Sequence, residues 1–166
     1  MKRQIRISRK NPGRNKGTAI VELACGSIFI MILLMVAIDI TLMMLGYQLN
    51  DRACRAATRA AAQQSSLVKA TSAINATLAM YKGDGYLVDS PKLATTPGSL
   101  VYNDFGGAPN SGNPTVSVCT EVLVKVPCPV IFCGQRFGVD AAGVTSSWTF
   151  RKRYTYPILD VNLVLP

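Results

Sequence analysis

The chain has 166 residues, enough for one domain of ordinary size or for a membrane anchor attached to a small domain. Its net charge of +9 is concentrated at the N-terminus, because seven of the 18 Lys and Arg residues precede Gly17 and the rest of the chain is nearly balanced. A nucleic-acid-binding domain would carry its basic charge on a folded face, so we expect no nucleic acid partner. The absence of histidine excludes Ser-His-Asp and Cys-His catalysis and histidine metal sites, and the sequence predicts no metal and no cofactor.

Residues 1–17 form a basic leader, and residues 18–47 form a predicted transmembrane helix. From Leu23 to Tyr47 the only charged residue is Asp39, and twelve residues are Leu, Ile, Val or Phe. On the insertion scale these twelve contribute about −4 to −7 kcal/mol in total, against about +3 kcal/mol for one central Asp. A helix of this length measures about 37 Å, more than the roughly 30 Å of a bilayer core. The sequence therefore predicts that this helix inserts into a membrane.

The positive charges predict the direction of insertion. The seven basic residues lie directly before the span, whereas charge is nearly balanced just after it (Asp51, Arg52, Arg55, Arg59). The positive-inside rule then places the N-terminus in the cytoplasm and the chain beyond the span outside. The alternative is a cleaved secretory signal peptide, which has a shorter apolar core and an A-x-A-like cleavage site after it. No such site is evident here, so we expect a retained anchor.

The junction of leader and span has the sequence KGTAIVELA. The leader ends at Gly17, and Glu22 follows five residues later at the edge of the apolar helix. A carboxylate that enters hydrocarbon is costly unless it is paired. Cleavage after Gly17 would create a positive α-amino group on Thr18, within about one helical turn of Glu22. In an assembled filament the same carboxylate could neutralise the amine of a neighbouring subunit.

This stretch resembles the processing site of type IV pilin-like precursors, which a prepilin peptidase cuts after Gly on the cytoplasmic side. Together with the span, Asp39 and the continuation QLNDRACRAATRAAA over residues 48–62, it resembles the TadE-like family. These proteins are minor pseudopilins of the tight-adherence (Flp-type) pilus system. The resemblance covers about residues 14–62. Major Flp pilins are very short and typically place Tyr after the Glu, whereas this chain has Leu23 and a large C-terminal region, which favours a minor subunit.

The resemblance implies a non-enzymatic protein that takes part in assembling a pilus or secretion apparatus. Thr18 would be the mature N-terminus, and Glu22 would set the register between subunits. The implied partners are the prepilin peptidase, other pilins or pseudopilins, the assembly platform with its ATPase, and membrane lipid. The implied location is a bacterial inner membrane, with the C-terminal domain periplasmic or extracellular and with incorporation into a pilus as a further expectation.

Asp39 has two interpretations. If the span covers only residues 18–38, Asp39 is an interfacial residue. If the span is longer, Asp39 lies within the membrane and would face a partner helix or a neighbouring subunit. The sequence does not choose between them.

Residues 48–82 are predicted to form extracytoplasmic helices. The first continues the span without a break to about Ala62, and its small residues are expected to pack on the protein's own sheet (Ala53, Ala56, Ala57, Ala60, Ala61). Apolar residues at three- and four-residue steps predict a second amphipathic helix over about residues 65–82.

Residues 83–114 form a Gly/Pro-rich loop region with a short strand near Leu100–Tyr102. Residues 115–166 form an antiparallel β region, with strands over Thr115–Val126 and Ser146–Tyr156 and an edge strand within Ile158–Leu165. The predicted fold class is α+β: a long N-terminal transmembrane helix that continues into a stalk helix, a second helix, and a small antiparallel sheet.

Four of the five cysteines lie outside the predicted membrane, where disulfides are permitted, while Cys25 lies within the span. Cys128 with Cys133 closes a small loop and is the first expectation. Cys119 with Cys128, or Cys54 with Cys119, remain alternatives, and the last pair would link the helix to the sheet. The spacing matches neither thiol oxidoreductases nor zinc fingers, which favours structural disulfides.

Two other functions remain open. A signal-anchored envelope protein with an extracytoplasmic ligand- or protein-binding domain would keep its leader and tolerate the loss of Glu22. A membrane-tethered enzyme would need its outer carboxylates to converge (Asp84, Asp89, Asp104, Glu121, Asp140, Asp160).

Overall fold

A computed structural model describes residues 16–105, 112–126, 131–132, 135–136 and 146–159. The fold is α+β, as predicted, and these residues form two helices followed by six strands. The helices are α1 (Lys16–Ala62) and α2 (Leu67–Met80), and the strands are β1 (Lys92–Leu93), β2 (Leu100–Asn103), β3 (Thr115–Val126), β4 (Ile131–Phe132), β5 (Gln135–Arg136) and β6 (Ser146–Pro157).

The chain divides into two compact units, and the division falls inside α1. The first unit is Met1–Ala37 and the second is Ile38–Pro166. In the described part of the first unit, the chain is helical from Lys16 onward. The second unit contains the rest of α1, the second helix and all the described strands.

The main sheet of the second unit is antiparallel and is built around β3. Strand β6 pairs with β3 along its whole length, from Thr115 opposite Pro157 to Val126 opposite Ser146. On the other edge of β3, β2 pairs with its first residues and β1 pairs further along, with Lys92 opposite Glu121. Strands β4 and β5 form a separate two-stranded ladder. The β-branched alternation of TVSVCTEVLVKV explains why β3 is the most buried strand of the group.

The second half of α1 packs on one face of this sheet. Its buried residues recur every three or four positions. The buried alanines among them are Ala53, Ala57, Ala61 and Ala62. They share a core with Val116 and Val118 of β3. Small side chains allow the helix backbone to approach the strands closely. The prediction that small residues of α1 pack on the protein's own sheet is therefore confirmed for Ala53, Ala57 and Ala61, whereas Ala56 and Ala60 are only partly buried.

At Gly46 the backbone of α1 lies close to the sheet. A Cβ atom at this position would collide with Cγ2 of Val124, which is fully buried. Val88 packs beside it and forms an isolated bridge with Val124. Only glycine fits here without a shift of the strand.

Helix α2 contributes its buried residues to the same core as α1. Ser66 caps its N-terminus, with the side-chain oxygen accepting a hydrogen bond from the backbone N–H of Lys69 at 3.5 Å. Ala70, Ile74 and Leu78 form its buried face. The predicted second helix is confirmed, with ends two residues inside the predicted ones.

The region between α2 and β3 contains more regular structure than predicted. The short strand near Leu100–Tyr102 is present as β2, whereas β1 was not predicted because two residues give no periodic signal.

The predicted edge strand within Ile158–Leu165 is not formed by its first two residues. The backbone N–H groups of Ile158 and Leu159 donate to the carbonyl oxygens of Pro114 and Ala62 instead of extending the sheet. The remainder of that predicted strand lies outside the described residues.

Candidate functional site

The first half of α1 has no covered face. Every residue from Gly17 to Ile38 is exposed, including large apolar side chains such as Leu23, Phe29 and Leu34. At 1.5 Å per residue, residues 18–38 measure about 31 Å, close to the thickness of a bilayer core. A soluble protein that exposed this much apolar surface would aggregate, so the surface requires an apolar partner.

One helix among the described residues is long and apolar enough to cross a membrane, with a mean hydropathy of 2.8 in its most apolar window. By length and composition it is compatible with a single-pass anchor. A signal sequence near the N-terminus satisfies the same criteria.

The three residues predicted for processing and assembly lie in the first two turns of α1. Gly17 is the second helical residue, and nothing lies within 4 Å of the position a Cβ would take. Thr18 and Glu22 are both exposed. Because they are four positions apart in a helix, their side chains share one face and are about 6 Å apart along the axis. Residues 1–15 of the leader lie outside the described residues.

Asp39 is the first buried residue of α1, with 2% of its surface exposed. It lies in the second unit, one residue after that unit begins. From here on, α1 alternates between buried and exposed positions, whereas before it all positions are exposed. Asp39 thus coincides with the point where the helix joins the folded domain.

The described cysteines are free thiols. Cys54 lies on the buried face of α1, where its Sγ donates to the carbonyl oxygens of Lys152 at 3.2 Å and Val118 at 3.5 Å. Cys119 alternates with Val118 and Thr120, which face α1, so its side chain points to the opposite face of the sheet. The alternative disulfide between Cys54 and Cys119 is therefore wrong, because β3 separates the two thiols.

The other predicted disulfides involve residues that the structure does not describe. Cys128 and Cys133 lie outside the described residues, and so does the pairing between them. Cys119, the partner considered for Cys128, is a free thiol with 7% of its surface exposed. Cys25 is a free, exposed thiol in the first half of α1.

Asn50 was not predicted, although it fastens α1 to the sheet. It is buried, and its amide nitrogen donates to the carbonyl oxygens of Phe150 at 2.8 Å and Thr120 at 3.4 Å. Its amide oxygen accepts a hydrogen bond from the hydroxyl of Thr120 at 2.7 Å. A polar pair buried in this way fixes the position of the helix along the strands, because a shift would leave each group unpaired.

A second set of contacts joins the side of α1 to β6, and we call it the helix–strand ladder. Four residues of α1 at four-residue spacing meet four residues of β6 at two-residue spacing (Tyr47, Asp51, Arg55, Arg59; Phe150, Lys152, Tyr154, Tyr156). Four helical residues advance about 6 Å and two strand residues about 6.6 Å, so the two series remain in step.

Asp51 lies at the centre of the hydrogen bonds and ion pairs of the helix–strand ladder. Its Oδ1 accepts a hydrogen bond from the hydroxyl of Tyr154 at 2.6 Å, and its Oδ2 lies 3.0 Å from a guanidinium nitrogen of Arg55. The ammonium of Lys152 donates to the hydroxyl of Tyr47 at 2.8 Å and lies 3.9 Å from Asp51. The hydrogen bond that Lys152 donates to Tyr47 raises the pKa of Lys152, and the hydrogen bond that Arg55 donates to Tyr154 raises the pKa of Arg55.

Aromatic contacts form the two ends of the ladder. At one end the rings of Tyr47 and Phe150 meet edge to face, with centroids 6.3 Å apart. At the other end the guanidinium of Arg59 lies 5.8 Å from the centre of the Tyr156 ring. The spacing of these residues was visible in the sequence, but the pairing of the two series was not.

The described carboxylates of the second unit do not converge on one place. Asp84 Oδ1 accepts three backbone N–H groups, from Tyr86, Leu87 and Val88, and the hydrogen bond from Val88 is the main reason its pKa is lowered. Asp89 lies 3.8 Å from Lys125. Asp140 and Asp160 lie outside the described residues.

Glu121 is buried on the other face of the sheet from α1. Its Oε2 accepts a hydrogen bond from Arg151 at 3.2 Å, and its Oε1 lies 3.8 Å from Lys92. Among the described residues, no group of three or more His, Cys, Asp or Glu is placed to hold a metal ion.

The comparisons with known proteins add no relative. No protein-family model matches the chain, and no curated protein or solved structure matches it.

Proposed function

We propose that this chain is a non-enzymatic, membrane-anchored minor pseudopilin that a prepilin peptidase processes after Gly17. In this proposal it takes part in assembling a tight-adherence (Flp-type) pilus or a related secretion apparatus. The observation that carries the proposal is an apolar helix that is exposed on all sides from Gly17 to Ile38. In this helix Glu22 lies about one turn after Thr18, which cleavage would make the N-terminal residue.

The relation of Thr18 to Glu22 supports processing at this site. The two residues are exposed and share a helical face, so a new α-amino group on Thr18 would lie near the carboxylate of Glu22. The amine and carboxylate would neutralise each other at the membrane, where either charge alone is costly. Between assembled subunits, the same carboxylate would pair with the amine of a neighbour and set the register.

The burial pattern of α1 supports an anchor that ends near Asp39. Residues 18–38 would cross the membrane, and the basic leader would remain on the cytoplasmic side. The second unit would then stand in the periplasm or outside the cell. In this arrangement Asp39 belongs to the exported domain, and its burial keeps the carboxyl away from lipid.

The exposed apolar surface supports two kinds of partner for the anchor. In the membrane the side chains of residues 18–38 would contact lipid, and during assembly they would contact the helices of other pilins or pseudopilins. The remaining proposed partners are the prepilin peptidase and the assembly platform.

The first experiment is the intact mass and N-terminal sequence of the protein extracted from native membranes. A mature chain that begins at Thr18 supports the proposal. The variant G17V should abolish the cleavage, because the resemblance implies a peptidase that cuts after Gly, and G13V in the same leader is the matched control that should still be cut.

Two other results would contradict the proposal. A native chain that begins near Met1 leaves an unprocessed signal-anchored envelope protein. A chain that begins beyond Leu45 shows that the apolar helix is a cleaved signal peptide, and the anchor is then lost as well. If Thr18 is the N-terminus, E22Q should prevent assembly of the subunit into pili while leaving cleavage and membrane insertion intact.

A further inference from the structure

The backbone of β6 has an outward edge that can be identified from the bonds of β3. In β3 the odd-numbered residues face away from β6: the N–H of Cys119 donates to the carbonyl oxygen of Ser99 at 2.7 Å, and the N–H of Lys125 donates to that of Leu87 at 2.6 Å. The even-numbered residues of β3 therefore bond to β6, and each lies opposite an even-numbered residue of β6. The backbone groups of the odd-numbered residues of β6 then point outward. We call four of these residues the β6 edge (Thr149, Arg151, Arg153, Thr155).

The β6 edge has no partner strand in the part of the chain that the structure describes. Within the main sheet, β6 pairs with β3 alone. All four side chains of the edge are exposed. The edge extends over about 23 Å, and each of its residues presents one N–H donor and one C=O acceptor. Such a row of backbone groups is a template for an added strand.

The charge beside the β6 edge is positive. Five basic residues and two carboxylates lie along β6, on β6 itself, on α1 and on β3 (Arg55, Arg59, Arg151, Lys152, Arg153; Asp51, Glu121). Arg151 and Lys152 lie beside carboxylates, whereas the guanidinium of Arg153 donates to the neutral carbonyl of Gly98 at 2.9 Å. The edge therefore keeps a net positive charge, which favours a partner strand with acidic side chains.

The same charges disfavour a second copy of this chain as the partner. If two β6 edges paired with each other along their length in antiparallel order, Arg151 and Arg153 would face arginines of the other copy. Like charges directly opposite each other destabilise a strand pair. Basic residues on an edge strand are one of the devices that prevent such self-pairing.

We propose that the β6 edge binds an extended, acidic segment of another protein as an additional antiparallel strand. The backbone of that segment would form about eight hydrogen bonds with the edge residues, two with each. Its acidic side chains would recur at every second position, on the face of the sheet that carries Arg151 and Arg153. This docking surface lies entirely in the second unit, so it depends neither on processing at Gly17 nor on the anchor.

Backbone amide exchange tests whether the edge is open, because neighbouring residues of β6 should differ. In the full chain in mild detergent, observed by NMR, the amides of Phe150, Lys152 and Tyr154 should exchange slowly, since they bond to β3. The amides of the β6 edge should exchange fast. Slow exchange of the edge amides at every protein concentration would show that another part of the chain covers the edge. Protection that increases with protein concentration would show a second copy there, and either result overturns the proposal.

The binding probe is a synthetic peptide in which glutamate alternates with valine. We expect it to bind the full chain and to slow exchange at the amides of the β6 edge, while the amides that bond to β3 stay unchanged. A peptide with lysine in place of glutamate should bind about tenfold more weakly or worse. Absence of binding by the glutamate peptide would overturn the proposal.

N-methylated forms of the probe separate strand pairing from charge attraction. In the proposed register the glutamates lie opposite the edge residues, so their N–H groups bond to β6 and those of the valines point away. Methylation of the glutamate nitrogens should therefore abolish binding, and methylation of the valine nitrogens is the matched control that should preserve it. Equal binding of the two methylated peptides would reduce the contact to charge attraction and overturn the proposal.

The variants T149P and T149A test the same edge from the side of the protein. Proline at position 149 removes an outward N–H that β3 does not use, and proline is tolerated on edge strands. We expect T149P to weaken binding of the glutamate peptide about tenfold, and T149A, which keeps the N–H, to bind like the wild type. Equal binding by the two variants would contradict docking on this edge. If circular dichroism shows that T149P does not fold, the methylated peptides decide the question with the unmodified chain.

Discussion

The two halves of α1 have similar length, but the half with the larger apolar side chains is the exposed one. Residues 17–38 are rich in Leu, Ile, Phe and Met and bury nothing, whereas residues 39–62 bury a face made mostly of Gly, Ala, Asn, Cys and Thr. Hydrophobicity alone therefore does not determine which part of this helix packs on the sheet. Small side chains allow close approach to β3, and the large apolar ones remain available for lipid or for other helices.

The largest effect is expected at the buried amide. Replacing Asn50 by Leu leaves the hydroxyl of Thr120 without its partner and removes two donated hydrogen bonds, at a cost of about 2–3 kcal/mol in the free energy of unfolding. Guanidinium unfolding of the full chain in mild detergent, followed by circular dichroism, measures this loss in the free energy of unfolding.

The matched control for Asn50 lies in the exposed half. Ser27 also makes a side-chain hydrogen bond, to the carbonyl of Ala24 at 2.8 Å, but it is exposed, so S27A should leave the unfolding curve unchanged. The double variant N50L T120V should cost less than the sum of its single variants, because it removes both members of the pair. Additive effects would contradict the buried pair.

A smaller effect is expected from a single methyl group on either half of α1. At Gly46, alanine gains about 1 kcal/mol of helix propensity but must displace Val124, so we expect G46A to be destabilising by about 1–2 kcal/mol overall. At Gly26 nothing lies within 4 Å, and G26A should be neutral or slightly stabilising. Equal behaviour of the two variants in the same unfolding assay would remove the contrast between the halves.

The helix–strand ladder is expected to contribute about 1 kcal/mol through its central carboxylate. In D51N, the hydrogen bond from Tyr154 loses its charged acceptor, and Arg55 and Lys152 lose their anion. The variant should unfold at slightly lower guanidinium concentration. D89N is the control, because its partner Lys125 and Asp89 itself are both well exposed, and it should change stability less than D51N does.

The smallest expected effect is a loss of local stability at acid pH in residues 84–88, where Asp84 accepts hydrogen bonds from three backbone N–H groups. Because hydrogen bonds from Val88, Tyr86 and Leu87 lower the pKa of Asp84, the folded chain binds its proton less readily than the unfolded chain does. The stabilisation is present above the ordinary Asp pKa and is lost as pH falls through the lower folded value. In hydrogen exchange, wild-type residues 84–88 should lose protection below about pH 4, and D84A should lose it at all pH values.

Regular patterns predicted much of the fold from the sequence. The alternation of TVSVCTEVLVKV gave the limits of β3, and the unbroken helical signal correctly extended α1 to Ala62. The apolar character of the helix before Asp39 was likewise predicted, from its content of Leu, Ile, Val and Phe. Each of these features depends on residues that are close together in the chain.

The features that sequence reasoning missed depend on residues far apart. Lys152 interrupts an aromatic face of β6, and its position is explained only by Tyr47 and Asp51, about a hundred residues earlier. Asn50 and Thr120 are 70 residues apart. The suggested link between Cys54 and Cys119 failed for the same reason, because the spacing of cysteines does not reveal which face of a strand each one occupies.

The direction of the helix–strand ladder has a mechanical consequence. Residue numbers rise together along α1 and β6, from Tyr47 beside Phe150 to Arg59 beside Tyr156. A force that pulls α1 toward its N-terminus would therefore load the ladder and the Asn50 contacts in shear. These contacts would have to yield together, whereas a perpendicular force would open them one after another. The contacts between α1 and the sheet are thus arranged to resist tension along the axis of α1.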